Sequence, residues 1–339
     1  MNNELEKVLV VGGAGYVGSL LVPKLLQEGY QVRVFDKYIF SRTENGEDIF
    51  GPNVANPNLE QIRGDVRDKE AIDEAVCGAD AVIHLACISN DPSFDLDPRL
   101  GRSINYLAFF PFLESVKRHH PKRLIYASSA SVYGVKEERD VTEVLPLEPL
   151  TDYSLYKALC EKALQDNVSS ADTPWVILRP TTVCGYARRQ RLDVIVNILT
   201  NHAVNNGIIT VEGGQQERPN IHIDDITGLY VSMLEYPEED IAGQIFNVNC
   251  ENSTVREIAE QVQSVIDDEV DIELKPVHDN RSYRVSDQKI RDRLGWAPQK
   301  TIKEGITDLI AAFRGGKLPR PLEDPIYYNI RRMRELNLT

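Results

Sequence analysis

Seven residues near the start, Gly12-Gly13-Ala14-Gly15-Tyr16-Val17-Gly18, restrict the fold more than any other stretch. They follow a short apolar run, Lys7-Val8-Leu9-Val10-Val11, and precede a segment with leucines at 20, 21, 25 and 26, closed by Gly29. Those periods predict a buried strand, a glycine turn and an amphipathic helix. Glycines at 12, 15 and 18, or equally at 13, 15 and 18, let the backbone turn sharply and approach a pyrophosphate. The unpaired amides at the helix start favour its charge. Asp36 follows directly after a second predicted strand, 31–35. A carboxylate there can accept from both hydroxyls of an adenine ribose, which selects NAD over a 2′-phosphorylated cofactor, although Lys37 beside it pulls the other way. Pro23 falls inside the first helix, where a proline costs about 3 kcal/mol, and predicts a kink or surroundings that tolerate it.

Alternation then continues. Strands are predicted at 59–63, 81–85, 123–127 and 175–178, and helices at 69–76, 100–119 and 151–168, the last starting at Thr151 or Asp152. Apolar strands separated by helices imply an α/β fold of Rossmann type, a doubly wound parallel sheet covered on both faces. Residues 38–57 read as a surface loop. After Arg179-Pro180 the rhythm changes, with an Arg-rich turn, a helix near 192–206 and a Gly-Gly turn. Residues 221–235 and a strand at 244–248 return to the first unit, and helices are expected at 254–267 and 302–313. The expected division is therefore 1–179 plus about 220–248 for the dinucleotide, and a smaller discontinuous lobe of about 180–219 plus 249–315. The segment 316–339 carries no assigned function and is expected to be a solvated or subunit-packing helix.

With 38 Lys and Arg against 52 Asp and Glu, the net charge is −14. That excludes a broad nucleic-acid or anionic-membrane surface, since both need exposed basic charge. The five cysteines fit neither a zinc pattern nor a disulfide framework, so reduced, buried thiols are expected and no metal is assigned. The start of the chain shows no secretory pattern and no segment is long enough to span a bilayer, which makes the cytoplasm the expected compartment.

The chemistry centres on Tyr153-Ser154-Leu155-Tyr156-Lys157. Residues four apart share one helix face, so a lysine one turn away can lower a phenol pKa that is otherwise about 10. Tyr153 then becomes a proton acceptor, with Ser129 as its hydrogen-bonding partner.

Gly64-Asp65-Val66-Arg67-Asp68, His84-Leu85-Ala86, Ala127-Ser128-Ser129-Ala130-Ser131-Val132-Tyr133-Gly134 and the Tyr153/Lys157 pair follow the glycine turn and Asp36 in order. In this order the chain resembles the extended short-chain dehydrogenases, and more specifically the nucleotide-sugar epimerases and dehydratases of the UDP-galactose 4-epimerase type. Arg179-Pro180, Arg218, His222-Ile223-Asp224-Asp225 and Leu294-Gly295-Trp296 carry the resemblance to about residue 310.

The resemblance implies NAD as cofactor, held by Gly12, Gly15, Tyr16, Val17, Gly18, Asp36, Asp65, Val66, Leu85 and Ala86. It implies Tyr153 as base, Lys157 on the nicotinamide ribose and depressing the tyrosine pKa, and Ser129 on the reacting sugar oxygen. For the nucleotide-diphosphate sugar it implies Asn105, Asn197, Arg218 and Arg281, with Arg284, Arg188, Arg189 and Arg191 as weaker candidates. A homodimer built on the 100–119 and 151–168 helices is also implied. The family's dehydratases carry an acidic pair after the catalytic Ser or Thr; here Ala130 and Ser131 stand there, which disfavours dehydration. Cys184 replaces a tyrosine common in relatives. Cys87-Ile88-Ser89-Asn90-Asp91-Pro92 and the 191–197 run resemble a branch acting on polysaccharide sugars, some of whose members are net 4-dehydrogenases. The expectation is a 4-epimerase. A dehydrogenase or ketoreductase with the same site is the alternative, and a non-catalytic NAD sensor is the alternative of another class.

Overall fold

The computed structural model describes residues 5–266, 269–276 and 282–338. Among the described residues twelve strands are formed: β1 (Lys7–Val11), β2 (Gln31–Asp36), β3 (Leu59–Arg63), β4 (Ala81–His84), β5 (Arg123–Ala127), β6 (Trp175–Pro180), β7 (Thr182–Cys184), β8 (Ile208–Glu212), β9 (Glu217–His222), β10 (Gln244–Val248), β11 (Glu251–Thr254) and β12 (Asp271–Lys275). Seven make one sheet in the order β10-β6-β5-β4-β1-β2-β3, every neighbouring pair parallel. A parallel sheet needs cover on both faces. Val8 and Val10 point into one apolar cluster and Leu9 and Val11 into the other, so β1 is apolar at consecutive positions rather than alternating. The strand order reverses between β1 and β4, and a crevice opens beyond the carboxyl ends of strands at such a point.

β7, β9 and β11 form a second sheet, and β8 and β12 a third, over a separate apolar cluster that includes Val196, Leu199, Ile258, Val262 and Ile306. The helix Ile223–Ser232 lies against the helix Gly18–Gln27, and β10 pairs with β6, so the chain between 223 and 248 rejoins the large sheet.

The helix Gly18–Gln27 runs on through Pro23 as one element, so its surroundings tolerate the proline. Three expectations need correction. The loop 38–57 contains a helical turn, Glu47–Phe50, because Ile49 and Phe50 are buried against Tyr38 and the large core. The expected single helix 100–119 is interrupted: Pro98–Arg102 gives way to a π turn, Ser103–Leu107, before Phe109–His119. The Ala108 amide reaches back five residues to the Ser103 carbonyl at 3.0 Å, the wider bond of a π turn. Not all the thiols are buried, since Cys77 is exposed. No helix among the described residues is long and apolar enough to cross a membrane.

Candidate active site

A cleft of about 550 Å³ runs along the carboxyl ends of the strands, starting at the glycine turn. Gly12 leaves β1 at φ +84°, and a Cβ there would lie 2.5 Å from the Ala86 amide nitrogen at the end of β4. At Gly18 a Cβ would run into the Gly13 carbonyl. Gly15 would meet only the Gly12 carbonyl at 3.3 Å and otherwise faces open space. Backbone contact therefore dictates the glycines at 12 and 18, while Gly15 leaves room for a ligand.

Asp36 ends β2 and braces this turn. Its Oδ2 accepts from the Ala14 amide at 3.0 Å and its Oδ1 from the Tyr38 amide at 2.7 Å. A carboxylate has about four acceptor positions, so about two remain for ribose hydroxyls. Burial pushes the Asp36 carboxyl upward against the pull of these amides. Lys37 turns to Asp65, with Nζ 2.7 Å from Oδ2, and Arg67 adds two bonds at 3.0 and 2.8 Å. The Arg67 bonds, with help from Lys37, hold Asp65 well below the usual carboxylate range. Tyr16, Val17, Val66, Leu85 and Ala86 line the same cleft.

Thr151 begins the helix Asp152–Asn167, its Oγ1 accepting from the Ser154 amide at 3.3 Å, and so sets the phase that brings Tyr153 and Lys157 to one face. Both line the cleft, as does Ser129, which follows β5 and caps the short turn Ala130–Tyr133. Ala130 is buried, and the Ser131 hydroxyl sits 2.9 Å from that of Ser129.

Lys157 makes a further contact within the cleft wall. Its ammonium is buried, donates to the Ala127 carbonyl at 2.6 Å and lies 5.1 Å over the Tyr126 ring. Burial pushes the Tyr153 phenol upward, reinforced by Cys87 and Asp91; the opposing influences are the Arg191 guanidinium and a hydrogen bond with Ser129. Among the largest influences on the phenol the cation is Arg191.

Arg189 and Arg191 are therefore more than surface charges. Both are buried and both line the cleft, whereas Arg188 is exposed. Arg191 donates to Asp193 at 2.6 Å and to the Ser89 hydroxyl at 3.0 Å. Arg189 lies 3.5 Å over the Phe40 ring and donates to the Asn329 amide oxygen at 2.8 Å. Burial and the charge of Arg191 bring its pKa down to about 9. The sequence signal that could have marked them is the acid two residues beyond Arg191.

Two expected substrate residues have other duties. Both ends of the Asn105 amide are taken by Ile88, accepting from its N–H at 2.8 Å and donating to its carbonyl at 2.9 Å. Asn197 is fully buried, accepting from the Gly185 amide at 3.0 Å and donating to Tyr16 Oη at 3.0 Å and to the Arg191 carbonyl at 2.8 Å. Tyr16 in turn donates to the Gly185 carbonyl at 2.6 Å, tying the glycine turn to the turn after β7. Arg218 lines the cleft from β9, whereas Arg284 pairs with Glu217 at 2.7 Å. Arg281 lies outside the described residues. The C-terminal segment, expected to be solvated or to pack a subunit, reaches the cleft through Asn329, Met333 and Leu338.

Among the described residues one cluster, His222, Asp224 and Asp308, has metal-ligand chemistry. His222 Nδ1 accepts from the Asp224 amide at 3.1 Å, which puts the ring proton on Nε2, facing Asp308 at 3.5 Å. A metal ligand needs a bare nitrogen, so these contacts describe a His–Asp pair.

The model of the NAD dependent epimerase/dehydratase family matches residues 8–249. UDP-glucuronic acid decarboxylase 1 of Arabidopsis thaliana is 29% identical over 318 residues, 91% of this chain and 70% of that protein. A putative UDP-glucose 4-epimerase of Methanocaldococcus jannaschii is 27% identical over 313 residues, 89% of this chain and 97% of the relative. Among solved structures, the UDP-glucose 4-epimerase of Thermus thermophilus in complex with NAD superposes with a TM-score of 0.77 at 26% identity, covering 91% of this chain and 99% of that one.

Proposed function

From the premise that the chain belongs to the NAD-dependent epimerase/dehydratase family and takes NAD as its cofactor, we propose that it is a nucleotide-sugar 4-epimerase. The observation that carries this reading is the convergence of Ser129, Tyr153 and Lys157 in the cleft that begins at the glycine turn and Asp36.

The fit to the cofactor is local. The turn that Gly12 and Gly18 hold tight would receive the pyrophosphate, and Asp36 would accept from the ribose hydroxyls. When bound, NAD would supply a reversible hydride acceptor for the sugar carbon. Tyr153, ionised, accepts the proton of the C4 hydroxyl through a contact with Ser129 and later returns it to the 4-keto oxygen. Arg191 supplies the charge that favours the phenolate. Arg218, a planar donor suited to a diphosphate, would hold the nucleotide while the sugar turns over. Ala130 and Ser131 support a reaction without loss of water, as neither side chain is an acid.

A second reading is favoured by Arg191. Its Nη2 is buried without a hydrogen-bond partner among the described residues, at the catalytic end of the cleft. A sugar carboxylate would satisfy that donor, and a 4-keto uronic acid is a β-keto acid that can lose carbon dioxide. Both readings meet one experiment: purified protein incubated without added cofactor with UDP-, GDP-, CDP- and dTDP-sugars, uronic acids included, and products followed by NMR. A C4 epimer formed without added cofactor is the expected result. A pentose product selects decarboxylation. Turnover that strictly requires added NAD or NADPH selects a net dehydrogenase or ketoreductase and ends the epimerase reading.

A further inference from the structure

The segment 316–338 closes over the cleft and is fastened on both sides of it. Leu318, Ile326, Tyr327 and Tyr328 pack with Leu192, Leu309 and Phe313 on the smaller unit. On the large-sheet side, Asp324 pairs with Arg42 at 2.7 Å and Arg332 donates to the Ile39 carbonyl at 2.6 Å. Ile39 and Phe40 line the cleft a few residues beyond Asp36, at the end where the adenosine half of a dinucleotide would lie.

Between these anchors sits Asn329, a buried side chain that joins three parts of the wall. Its backbone N–H donates to Asp193 at 2.9 Å, its amide nitrogen donates to the Ser89 hydroxyl at 3.1 Å, and its amide oxygen accepts from Arg189 at 2.8 Å. Arg191 reaches the same Asp193 and Ser89. One residue of the C-terminal segment thus orients both buried arginines and the loop after β4. Surface packing alone would not require a buried amide with every polar end engaged; holding a moveable wall in one position does.

We propose that this segment is a strap that retains NAD between turnovers, with Asn329 as the positioning residue that locks it. A dinucleotide under the strap leaves only when the bonds of Asn329 and Arg332 break. Retention suits a reaction that returns its hydride and hinders one that must exchange cofactor each cycle. The inference rests on NAD binding, and the identity of the sugar does not enter it.

The test measures cofactor release directly. Full-length protein is loaded with NADH, mixed with excess NAD, and the escape of NADH followed by its fluorescence. Asn329→Ala and Arg332→Ala are each expected to release NADH about 10-fold faster, the scale of one or two lost hydrogen bonds. Asn329→Asp, which keeps an acceptor facing Arg189, is expected to recover part of the loss. A merely structural role would lower the melting temperature of the cofactor-free protein and leave release unchanged. Release within about 2-fold of the parent in both alanine variants overturns the strap, on a scale where one hydrogen bond is worth about tenfold. Faster release in a protein that epimerises no sugar leaves the strap standing and removes the proposed function instead.

Discussion

The phenol proposed as proton acceptor sits where ionisation is opposed. Burial and two neighbouring acidic groups raise the Tyr153 pKa, and Arg191 is the cation that resists them. The same interaction, seen from its other side, contributes to the raised pKa of Arg191. The sign of the resulting pH dependence follows: the base must be ionised, so kcat/KM climbs with pH until the phenol has lost its proton. Removing the neighbouring positive charge raises that pKa and moves the climb to higher pH. For Arg191→Gln we expect the rising limb to shift upward by about one unit and activity at pH 7 to fall about 10-fold. Arg191→Lys, which keeps a charge, shifts it less. A pH–rate profile whose limb does not move in Arg191→Gln removes Arg191 from the tuning of Tyr153.

At the scale of elements, the π turn Ser103–Leu107 explains why an asparagine on the interrupted helix touches a strand-following loop. Widening by one residue places Asn105 opposite Ile88, and its amide takes the place of a backbone partner for both polar groups of that residue. Asn105→Ala leaves a partly buried N–H and C=O without partners. The expected cost is about 2 kcal/mol or more in urea unfolding, together with a raised KM as the loop carrying Ser89 loosens. Unfolding midpoints and KM equal to the parent's would show that the loop holds itself. Such coupling marks the limit of what the chain discloses in one dimension. β1, β3, β5 and β10 were legible to the residue: β1 and β5 as the near-unbroken apolar runs of buried parallel strands, and the half-exposed edge strand β3 (Leu-Glu-Gln-Ile-Arg) from its place in the strand–helix alternation before Gly64. The glycine turn, Asp36 and the Tyr153/Lys157 pair were legible because their geometry is set within a few residues. Arg189 and Asn329 were not, since their meaning depends on a contact between residues 140 apart. Lys157 shared the face of Tyr153, as its spacing required, while the bond of one of its three proton donors to the nearby Ala127 carbonyl was not legible.

Across the whole molecule, the helix bearing Tyr153 and the segment bearing Asn105 share one flank. Tyr106 and Tyr156 stack across that flank with ring centroids 5.4 Å apart, and Leu107, Phe110 and Leu155 are 46%, 37% and 38% exposed beside them. Large apolar side chains grouped on two neighbouring helices favour burial against a like surface, and a two-fold axis lets one patch serve both partners. We therefore propose that two copies associate through this flank. The association would also brace the two elements that set the catalytic end, the turn holding Ile88 and the helix holding Tyr153. Sedimentation at micromolar concentration should give a species of twice the chain mass. Leu107→Asp combined with Phe110→Asp should dissociate it, because two carboxylates per chain would have to be desolvated without partners. Both positions are solvent-facing in one chain, so each monomer should keep its fold and its bound NAD, while activity falls if bracing matters. A parent protein that sediments as a monomer at that concentration overturns the interface, and a double variant that remains dimeric moves it to another face of the molecule.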